Sequence, residues 1–317
     1  MNKIFITGGT GFVGNALCEK LRESFDIQIS SRNNERQING INNFNISYEN
    51  LNINWSKVLD KVDCIIHCAA KTHSMNELKN KDNLNTYRQV NVTDTIKIAE
   101  KAVCHGVKRF IFLSSIKVNG ESTTNISSYK FDDPTKPEDI YGITKLEAEK
   151  ALFEISNRTN LEVIIIRSPL IYGKGVKGNF LRLLKLIHKG IPLPFSKVNN
   201  LRSLISLNNL ISLIIKCVNN SKAPGNIFLA SDGTDISTPD LIRKISQAMN
   251  KPSNLFVAPD WIIKLIGRLL GKNLELQRLL GSLRVDITQS CKVLNWKPPY
   301  TLEQEIKETV NWYLKIK

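Results

Sequence analysis

The sequence has no apolar run long enough to cross a membrane. A bilayer-spanning helix needs about 20 consecutive apolar residues, and the apolar stretches among these 317 residues are all shorter. The first residues predict a strand and not a basic region followed by a long apolar segment, so we expect no signal peptide. Together these absences predict a cytoplasmic protein.

Cysteine is sparse and lacks the spacing of a metal site. None of the six cysteines stands in the paired arrangement that zinc sites use. We therefore expect no bound metal and, as is usual in a cytosolic protein, free thiols that are mostly buried. The six are Cys18, Cys64, Cys68, Cys104, Cys217 and Cys291.

Acidic residues are the minority among the charged ones. The chain carries 44 Lys and Arg against 29 Asp and Glu, a net charge of +15. Such a surface attracts anionic ligands or anionic lipid headgroups, although a basic surface with no dedicated partner is an equal alternative. The chain has no nucleic-acid recognition motif and no aromatic–basic cluster, so we do not expect a nucleic-acid partner. The basic amphipathic segment 260–270 either lies on a membrane surface or packs within the protein.

The first fourteen residues, MNKIFITGGTGFVG, predict a strand, a glycine-rich turn and a helix. The apolar run 3–7 is stopped by glycine, and a helix follows from Phe12. Gly8 allows a tight turn, Gly11 removes a side chain where a diphosphate must approach, and Gly14 lets the helix pack against the strand. A helix N-terminus also offers N–H groups and a positive dipole end to phosphate. The segment therefore predicts a dinucleotide-binding site.

Short apolar runs alternate with helical periodicity as far as residue 167. This order predicts an α/β fold with a doubly wound parallel sheet. Ligands of such sheets bind beyond the carboxyl ends of the strands. Four predicted strands end near Gly8, Ala69, Ser115 and Pro169, which should therefore share one crevice.

The same patterns predict the order of elements. We expect a dinucleotide-binding domain over 1–170 and a smaller, mostly helical substrate lobe over 171–317, with segments around 200–218 returning to the first domain. The predicted strands are 3–7, 27–30, 63–70, 109–115 and 162–167, with a possible return strand at 201–207. The predicted helices are 91–102, 140–155, 179–188, 208–218 and 238–249, and 71–88 is predicted to be an irregular loop.

The second predicted strand ends without an acidic residue. An Asp or Glu there would bind the ribose 2′-hydroxyl of NAD, whereas a basic residue suits the 2′-phosphate of NADP. Ser31 and Arg32 occupy this place, which favours NADP over NAD, unless Arg32 faces solvent. In the third strand, His67 is interpreted as a core histidine, and His73 lies in a polar loop.

Tyr141 and Lys145 stand four residues apart in YGITK, at the start of a predicted helix. They therefore lie on one helix face. A phenol has a pKa of about 10, and a nearby ammonium together with a cationic nicotinamide would lower that pKa toward the neutral range. Tyr141 then exchanges a proton with a substrate oxygen, Lys145 holds the nicotinamide ribose, and Ser115 hydrogen-bonds the same substrate oxygen.

The rest of that predicted helix is expected to face solvent on its charged side. Glu147, Glu149 and Lys150 are expected to point outward.

Six segments of the chain resemble the extended short-chain dehydrogenase/reductase family. They are TGGTGFVG at 7–14, HCAA at 67–70, Asn91-Val92, LSSIKVNGE at 113–121, YGITK at 141–145 and RSPLIYG at 167–173. Later stretches are similar to the nucleotide-sugar branch, which includes UDP-sugar 4-epimerases and 4-keto-sugar reductases. The resemblance implies a UDP-sugar substrate and a homodimer that pairs helices 91–104 and 140–155 across a two-fold axis.

The resemblance also implies the site residues. Ser115, Tyr141 and Lys145 are the expected catalytic residues, and Asn179 and Arg202 join Ser115 in binding the sugar nucleotide. A helix N-cap is the alternative role for Asn179, and a surface ion pair is the alternative for Arg202. The expected cofactor-binding residues are Gly8, Gly11, Phe12, Val13, Gly14, Ser31, Arg32, Ala69, Ala70, Lys71, Asn91, Ser114, Tyr141, Lys145 and Pro169.

Two positions depart from the family pattern. Tyr48-Glu49 stand where an acidic residue usually contacts the adenine, and Ser31-Arg32 replace the acid of NAD-bound epimerases. An epimerase returns its hydride, whereas a net reductase consumes cellular NADPH. We therefore expect an NADPH-dependent reductase of a UDP-4-keto-hexosamine in surface-polysaccharide synthesis. The alternatives are a 4-epimerase of a UDP-hexose or UDP-N-acetylhexosamine, and a non-catalytic cofactor-sensing module.

Overall fold

The computed structural model describes residues 1–31, 38, 40–46, 53–72, 81–259 and 279–317. The strands there are β1 (Lys3–Thr7), β2 (Asp26–Ser31), β3 (Asn42–Asn45), β4 (Cys64–His67), β5 (Arg109–Ser115), β6 (Glu162–Ser168), β7 (Leu170–Tyr172), β8 (Arg202–Ser206), β9 (Ile227–Leu229) and β10 (Asp235–Ile236). The α-helices are α1 (Phe12–Leu21), α2 (Trp55–Val58), α3 (Lys81–Arg88), α4 (Asp94–Cys104), α5 (Ile140–Arg158), α6 (Gly178–His188), α7 (Leu207–Asn219), α8 (Thr238–Ala248), α9 (Thr288–Leu294) and α10 (Leu302–Lys315). A π-helical turn covers Gln89–Thr93, and a 3₁₀ turn covers Ile116–Val118.

A parallel sheet lies at the centre of the fold, with its strands in the order β3-β2-β1-β4-β5-β6-β9. Its inner strands are continuous apolar runs because both of their faces are covered. In β4, for example, all four residues from Cys64 to His67 are buried. The order reverses direction between β1 and β4, which confirms the predicted doubly wound α/β fold.

Helices cover the two faces of this sheet in separate layers. Ile66 of β4 packs in a core with Leu17 of α1 and Leu210 of α7. Its neighbour Ile65 points to the opposite face, where it packs in a core with residues of α4 and α5, Leu152 among them. Successive strand residues alternate between faces, so each strand contributes to both cores.

A second sheet of three strands, β10-β8-β7, stands beside the first. The strand predicted at 201–207 does form as β8, but the expectation that it returns to the main sheet is wrong. It pairs parallel with β7 and antiparallel with β10. Strand pairing of this kind joins residues far apart in sequence, so the local pattern does not reveal the partner. The helix that follows, α7, does pack on the main sheet.

One predicted loop is partly helical. The segment predicted as a loop at 71–88 includes α3, which continues through the π-helical turn into α4. Leu84 and Tyr87 are the only apolar residues of α3, too few to give a helical periodicity. Contacts with α5 compensate, among them an ion pair in which Arg88 Nη2 lies 2.6 Å from Glu147 Oε1.

The C-terminal part has its own core between α6, α8 and α10. This agrees with the predicted mostly helical lobe, while the division into domains at residue 170 stays a prediction. The amphipathic segment 260–270 lies outside the described residues. Within the described ranges, no helix is both long and apolar enough to span a bilayer.

Candidate active site

The glycine-rich turn after β1 is built around two close backbone contacts. Gly8 has a φ of 68°, a left-handed conformation that favours glycine. A Cβ added to Gly14 would lie 2.2 Å from the carbonyl oxygen of Gly8. Gly14 therefore lets α1 pack against the turn itself, whereas the sequence predicted a contact with the strand.

The N-terminus of α1 offers backbone donors to an anion. Gly11 is the N-cap and its position carries no side-chain cap, so the first-turn N–H groups are left for another acceptor. Among the described residues, a Cβ added to Gly11 would meet only the Gly8 carbonyl oxygen within 4 Å. An open approach, backbone donors and the positive end of a helix dipole fit the diphosphate of a dinucleotide.

His67 joins the ends of β1 and β4 beneath this turn. It is fully buried, and its ring nitrogens lie 2.9 Å from Thr7 Oγ1 and 3.1 Å from Thr95 Oγ1. Burial lowers the pKa of His67 to about 3, so the ring is neutral. The interpretation of His67 as a core residue is confirmed, and the segment that follows, with Ala69 and Ala70, is half-buried at the strand end.

Asn91 braces the loop after β4 against α5. Its Oδ1 accepts from the backbone N–H of Lys71 at 2.8 Å, and its Nδ2 donates to the Lys71 carbonyl and to Thr144 Oγ1, each at 3.1 Å. Asn91 lies in the π-helical turn, a feature frequent at functional sites. These bonds give the Asn91 side chain a positioning role. Contact between Asn91 and a cofactor stays a prediction.

Ser115 ends β5 at the same edge of the sheet where Gly8 follows β1 and starts the glycine turn. It is 8 % exposed, and its Oγ accepts from the Lys117 N–H at 3.3 Å, capping the 3₁₀ turn. The hydroxyl hydrogen of Ser115 can still be donated to a substrate oxygen. Pro169 follows β6 at the same edge and is buried, so the structure brings the four predicted strand ends together.

Helix α5 starts close to that serine. Asp139 caps the helix by accepting from the Gly142 N–H at 2.7 Å, which places Tyr141 and Lys145 in the first two turns. A Cβ added to Gly142 would lie 2.8 Å from the Lys117 carbonyl oxygen. Gly142 therefore permits the close approach of α5 to the 3₁₀ turn after Ser115. No role was predicted for Gly142 from the sequence, although a glycine in the first turn of a helix can indicate a close approach of another backbone segment.

Burial dominates the titration of the tyrosine and the lysine. Lys145 is 1 % exposed, and its Nζ lies 3.9 Å from the centre of the Phe112 ring. Burial lowers the pKa of Lys145 to about 7 and, with Asp139 nearby, raises the pKa of Tyr141 above its ordinary value. The protein's own residues therefore do not lower the pKa of Tyr141, as was expected of Lys145, because burial, Asp139 and Tyr87 all raise it.

Glu149 is buried, and the expectation that it faces solvent is wrong. It is 2 % exposed and forms an ion pair with Arg167, with 2.6 Å between Oε2 and Nη2. The Ser114 hydroxyl also donates to Glu149. The local sequence predicted an outward side chain because a charged residue is almost never fully buried unless it is paired. Here the partner, Arg167, lies on a different element, β6. Of the three charged residues, Lys150 is exposed and Glu147 is half-buried.

Asn179 is the second residue of α6, so its alternative role as N-cap is wrong. Lys177 is the N-cap. The side-chain Oδ1 of Asn179 is buried and has no hydrogen-bond partner among the described residues, which is the condition of an acceptor prepared for a ligand. Arg202 is half-buried at the start of β8, and its Nη1 donates to the Gly281 carbonyl at 3.0 Å.

Part of the predicted cofactor site falls outside the described residues. Ser31 ends β2 and its hydroxyl hydrogen-bonds Asn43. Arg32, which bears on the choice between NAD and NADP, lies outside the described residues. Tyr48-Glu49, at the place of the adenine contact, and His73 lie outside them as well.

Comparison with known proteins identifies the family. The model of the NAD dependent epimerase/dehydratase family matches residues 4–230. A UDP-glucose 4-epimerase of Vibrio cholerae is 42 % identical over 315 residues, covering 98 % of this chain and 95 % of the relative. An N-acetyl-alpha-D-glucosaminyl-diphospho-ditrans,octacis-undecaprenol 4-epimerase of Escherichia coli O157:H7 is 24 % identical, with 98 % and 95 % of the two chains covered.

Solved structures agree at the level of the fold. The UDP-glucuronic acid 4-epimerase of Bacillus cereus in complex with NAD superposes with a TM-score of 0.80 at 19 % identity, over 99 % of both chains. MoeE5 in complex with UDP-glucose and NAD gives the same TM-score at 19 % identity. The resemblance predicted from the motifs is confirmed: this chain belongs to the NAD-dependent epimerase/dehydratase family of extended short-chain dehydrogenases/reductases.

Proposed function

We propose that this protein is an NAD-dependent UDP-sugar 4-epimerase that acts on a UDP-hexose or a UDP-N-acetylhexosamine. The observation that carries the proposal is the 42 % identity, over nearly the whole of both chains, to a UDP-glucose 4-epimerase. The predicted catalytic residues Ser115, Tyr141 and Lys145 are all present at one edge of the sheet, so the site has the groups that the reaction needs.

The chain's own residues would hold the cofactor at its diphosphate and at its nicotinamide end. The glycine turn and the N-terminus of α1 bind the diphosphate, and Lys145 binds the nicotinamide ribose. When bound, NAD supplies a hydride acceptor and donor at sugar carbon 4 and, in its oxidised form, a positive charge.

Tyr141 exchanges the proton in this proposal. Its phenol takes the proton of the sugar 4-hydroxyl when that carbon is oxidised and returns a proton when the carbon is reduced on the other face. The hydroxyl of Ser115 donates to the same oxygen and stabilises the charge that develops on it. Because burial raises the pKa of Tyr141, positive charge next to the phenol is needed before it can act as a base at neutral pH.

Asn179 and Arg202 are proposed to bind the nucleotide part of the substrate. The Oδ1 of Asn179 is buried and has no partner in the part of the chain that the structure describes, so it suits a hydroxyl or N–H donor of the ligand. A guanidinium matches the oxygens of a diphosphate, and Arg202 stands at the amino end of β8 in the second sheet. Assembly as a homodimer through α4 and α5 also belongs to the proposal.

An NADPH-dependent reductase of a UDP-4-keto-hexosamine is the second candidate. The observation that favours it is the sequence Ser31-Arg32 at the end of β2, because a basic residue suits the NADP 2′-phosphate.

Product analysis separates these functions. The purified protein would be incubated with UDP-glucose, UDP-galactose and their N-acetylated analogues, and the sugars separated by chromatography. Interconversion of the 4-epimers without net change in nicotinamide absorbance supports the epimerase. Stoichiometric oxidation of NADPH with a 4-keto-sugar nucleotide supports the reductase, and cofactor binding without either reaction would overturn both in favour of a sensor.

A further inference from the structure

An ion pair buried next to the site has no part in the chemistry described so far. Glu149 lies one helical turn beyond Lys145 on α5, and Arg167 lies near the end of β6. Arg167 Nε donates to both carboxylate oxygens, at 3.1 and 3.2 Å, and Nη2 donates to Oε2 at 2.6 Å. Both side chains are at most 3 % exposed, so the contact is fully removed from water.

This pair connects every element that carries a catalytic residue. The Ser114 hydroxyl, on the residue before Ser115, donates to Glu149. Arg167 Nη1 donates to Asn119 Oδ1 at 3.0 Å, just beyond the 3₁₀ turn that Ser115 caps. The Glu149 carboxylate therefore links α5 to the ends of β5 and β6. The Arg167 guanidinium links Asn119, just after the 3₁₀ turn, to the same ion pair.

Stability alone does not account for such a pair. Burying two charges costs desolvation energy that their attraction rarely exceeds, and apolar replacements of buried pairs are often neutral or stabilising. The same two strands are joined elsewhere by another Arg–Glu pair, between Arg109 and Glu162 at their amino ends, with 2.6 Å between Nη2 and Oε2. That pair is remote from the site and provides a comparison in which the carboxylate is less deeply buried, since Glu162 is 27 % exposed.

We propose that Glu149 and Arg167 are positioning residues, whose ion pair holds the ammonium-bearing turn of α5 and the Ser115 end of β5 in the arrangement that proton transfer requires. The inference deepens the function proposed above and rests on it. Neither residue touches the substrate in this account, and both act through Lys145 and Ser115.

The charges around Lys145 make the inference measurable. Glu149 faces Lys145 from its own helix, and Cys68 and His67 face it from the end of β4. Burial lowers the pKa of Lys145 to about 7, while Glu149 is the strongest influence that raises it. Removing the carboxylate takes away this raising influence, so the pKa of Lys145 should fall further.

The test uses the affinity for NAD as a function of pH, measured by calorimetry without any sugar. The oxidised nicotinamide is cationic, so NAD should bind more tightly once Lys145 is neutral, and the midpoint of this change reports the pKa of Lys145. We expect Glu149→Gln to move the midpoint down by about one pH unit, because it removes an adjacent charge. We expect Glu162→Gln, the matched control, to leave the midpoint unchanged.

A second variant should shift the midpoint in the opposite direction. Arg167→Met leaves Glu149 without its competing cation, so the midpoint should move to higher pH. A merely structural role would move the midpoints of Glu149→Gln and Arg167→Met in the same direction or not at all, and either result overturns the inference. If Glu149→Gln does not fold, the direction of the Arg167→Met shift relative to Glu162→Gln decides alone.

The outcome is independent of whether the proposed reaction is correct. Wild-type protein that binds NAD but epimerises none of the UDP-sugars refutes the proposed function, while opposite midpoint shifts in the two variants would still support the positioning pair. Equal midpoints in wild type, Glu149→Gln and Glu162→Gln would refute the pair even in an active epimerase.

Discussion

Thr7 Oγ1 lies 2.9 Å from His67 Nδ1, and the two residues are direct partners in the parallel pairing of β1 with β4. Thr7 Oγ1 also accepts from the Ala69 N–H at 3.2 Å. One hydroxyl thus connects the strand that precedes the glycine turn, the buried imidazole and the first residues of the loop beyond β4. The edge of the sheet that is proposed to bind the nucleotide is therefore connected through a neutral histidine.

His67 should make the fold sensitive to mild acid. Its folded pKa is about 3, below the ordinary value near 6.5, so its contribution to stability is present above pH 6.5 and is lost as the pH falls toward 3. At pH 5 the loss should be about 2 kcal/mol of unfolding free energy. Urea unfolding at pH 7 and pH 5 should show a smaller difference for His67→Asn than for His105→Asn, a half-buried control. Equal differences in the two variants would contradict this role.

Lys145 should destabilise the fold at low pH. Its folded pKa is about 7 against about 10.4 when unfolded, so the cost of burying its charge is complete below pH 7 and disappears as the pH rises toward 10.4. We expect Lys145→Met to stabilise the protein by about 3 kcal/mol more at pH 6 than at pH 9. Lys150→Met, exposed on the same helix, should show no such pH dependence. Unfolding curves at both pH values make the comparison, and equal gains for the two variants would be the opposing result.

Tyr141→Phe should abolish turnover and leave the affinity for NAD nearly unchanged. Loss of a general acid–base group reduces rates by about 10²–10⁴-fold, while the ring that remains still fills its place in the fold. Tyr313→Phe is the matched control, because its buried hydroxyl has no partner among the described residues and its removal should not destabilise the protein. Steady-state rates and NAD titrations of both variants test this, and a near-normal rate for Tyr141→Phe would refute its role.

Gly14→Ala should weaken cofactor binding at least tenfold. The new Cβ would lie 2.2 Å from the Gly8 carbonyl oxygen, so the turn that approaches the diphosphate must shift, at a cost of about 1–3 kcal/mol. Lys20→Ala on the exposed side of the same helix should bind NAD normally. Fluorescence titration with NAD measures both affinities, and equal affinities would show that the turn tolerates a side chain.

Arg32→Asp addresses the choice of cofactor. A carboxylate at this place binds the ribose hydroxyls of NAD and repels the 2′-phosphate of NADP. The substitution should therefore weaken NADP binding more than NAD binding, as measured by competitive titration. Equal losses for the two cofactors would remove the sequence argument for NADP.

Local patterns were sufficient for five of the seven strands of the central sheet, namely β1, β2, β4, β5 and β6. The apolar run at 109–115 became β5 with the same bounds, and α1 begins at Phe12 as expected. These elements are encoded in consecutive residues, because a buried parallel strand or an amphipathic helix leaves its periodicity in the sequence. The end of β4 was placed three residues too late, because Cys68, Ala69 and Ala70 continue the apolar run after pairing with β1 has ended.

By itself, the sequence determined the alternation of strands and helices, the glycine turn, and the residue types that stand at the strand ends. Only the tertiary structure decided that β8 joins a second sheet, that Asn179 carries a buried acceptor with no partner among the described residues, and that Glu149 turns inward to Arg167. The physical reason is the same in each case. Burial and pairing of polar groups depend on a partner from a distant segment, and that partner leaves no periodic trace around the residue it satisfies.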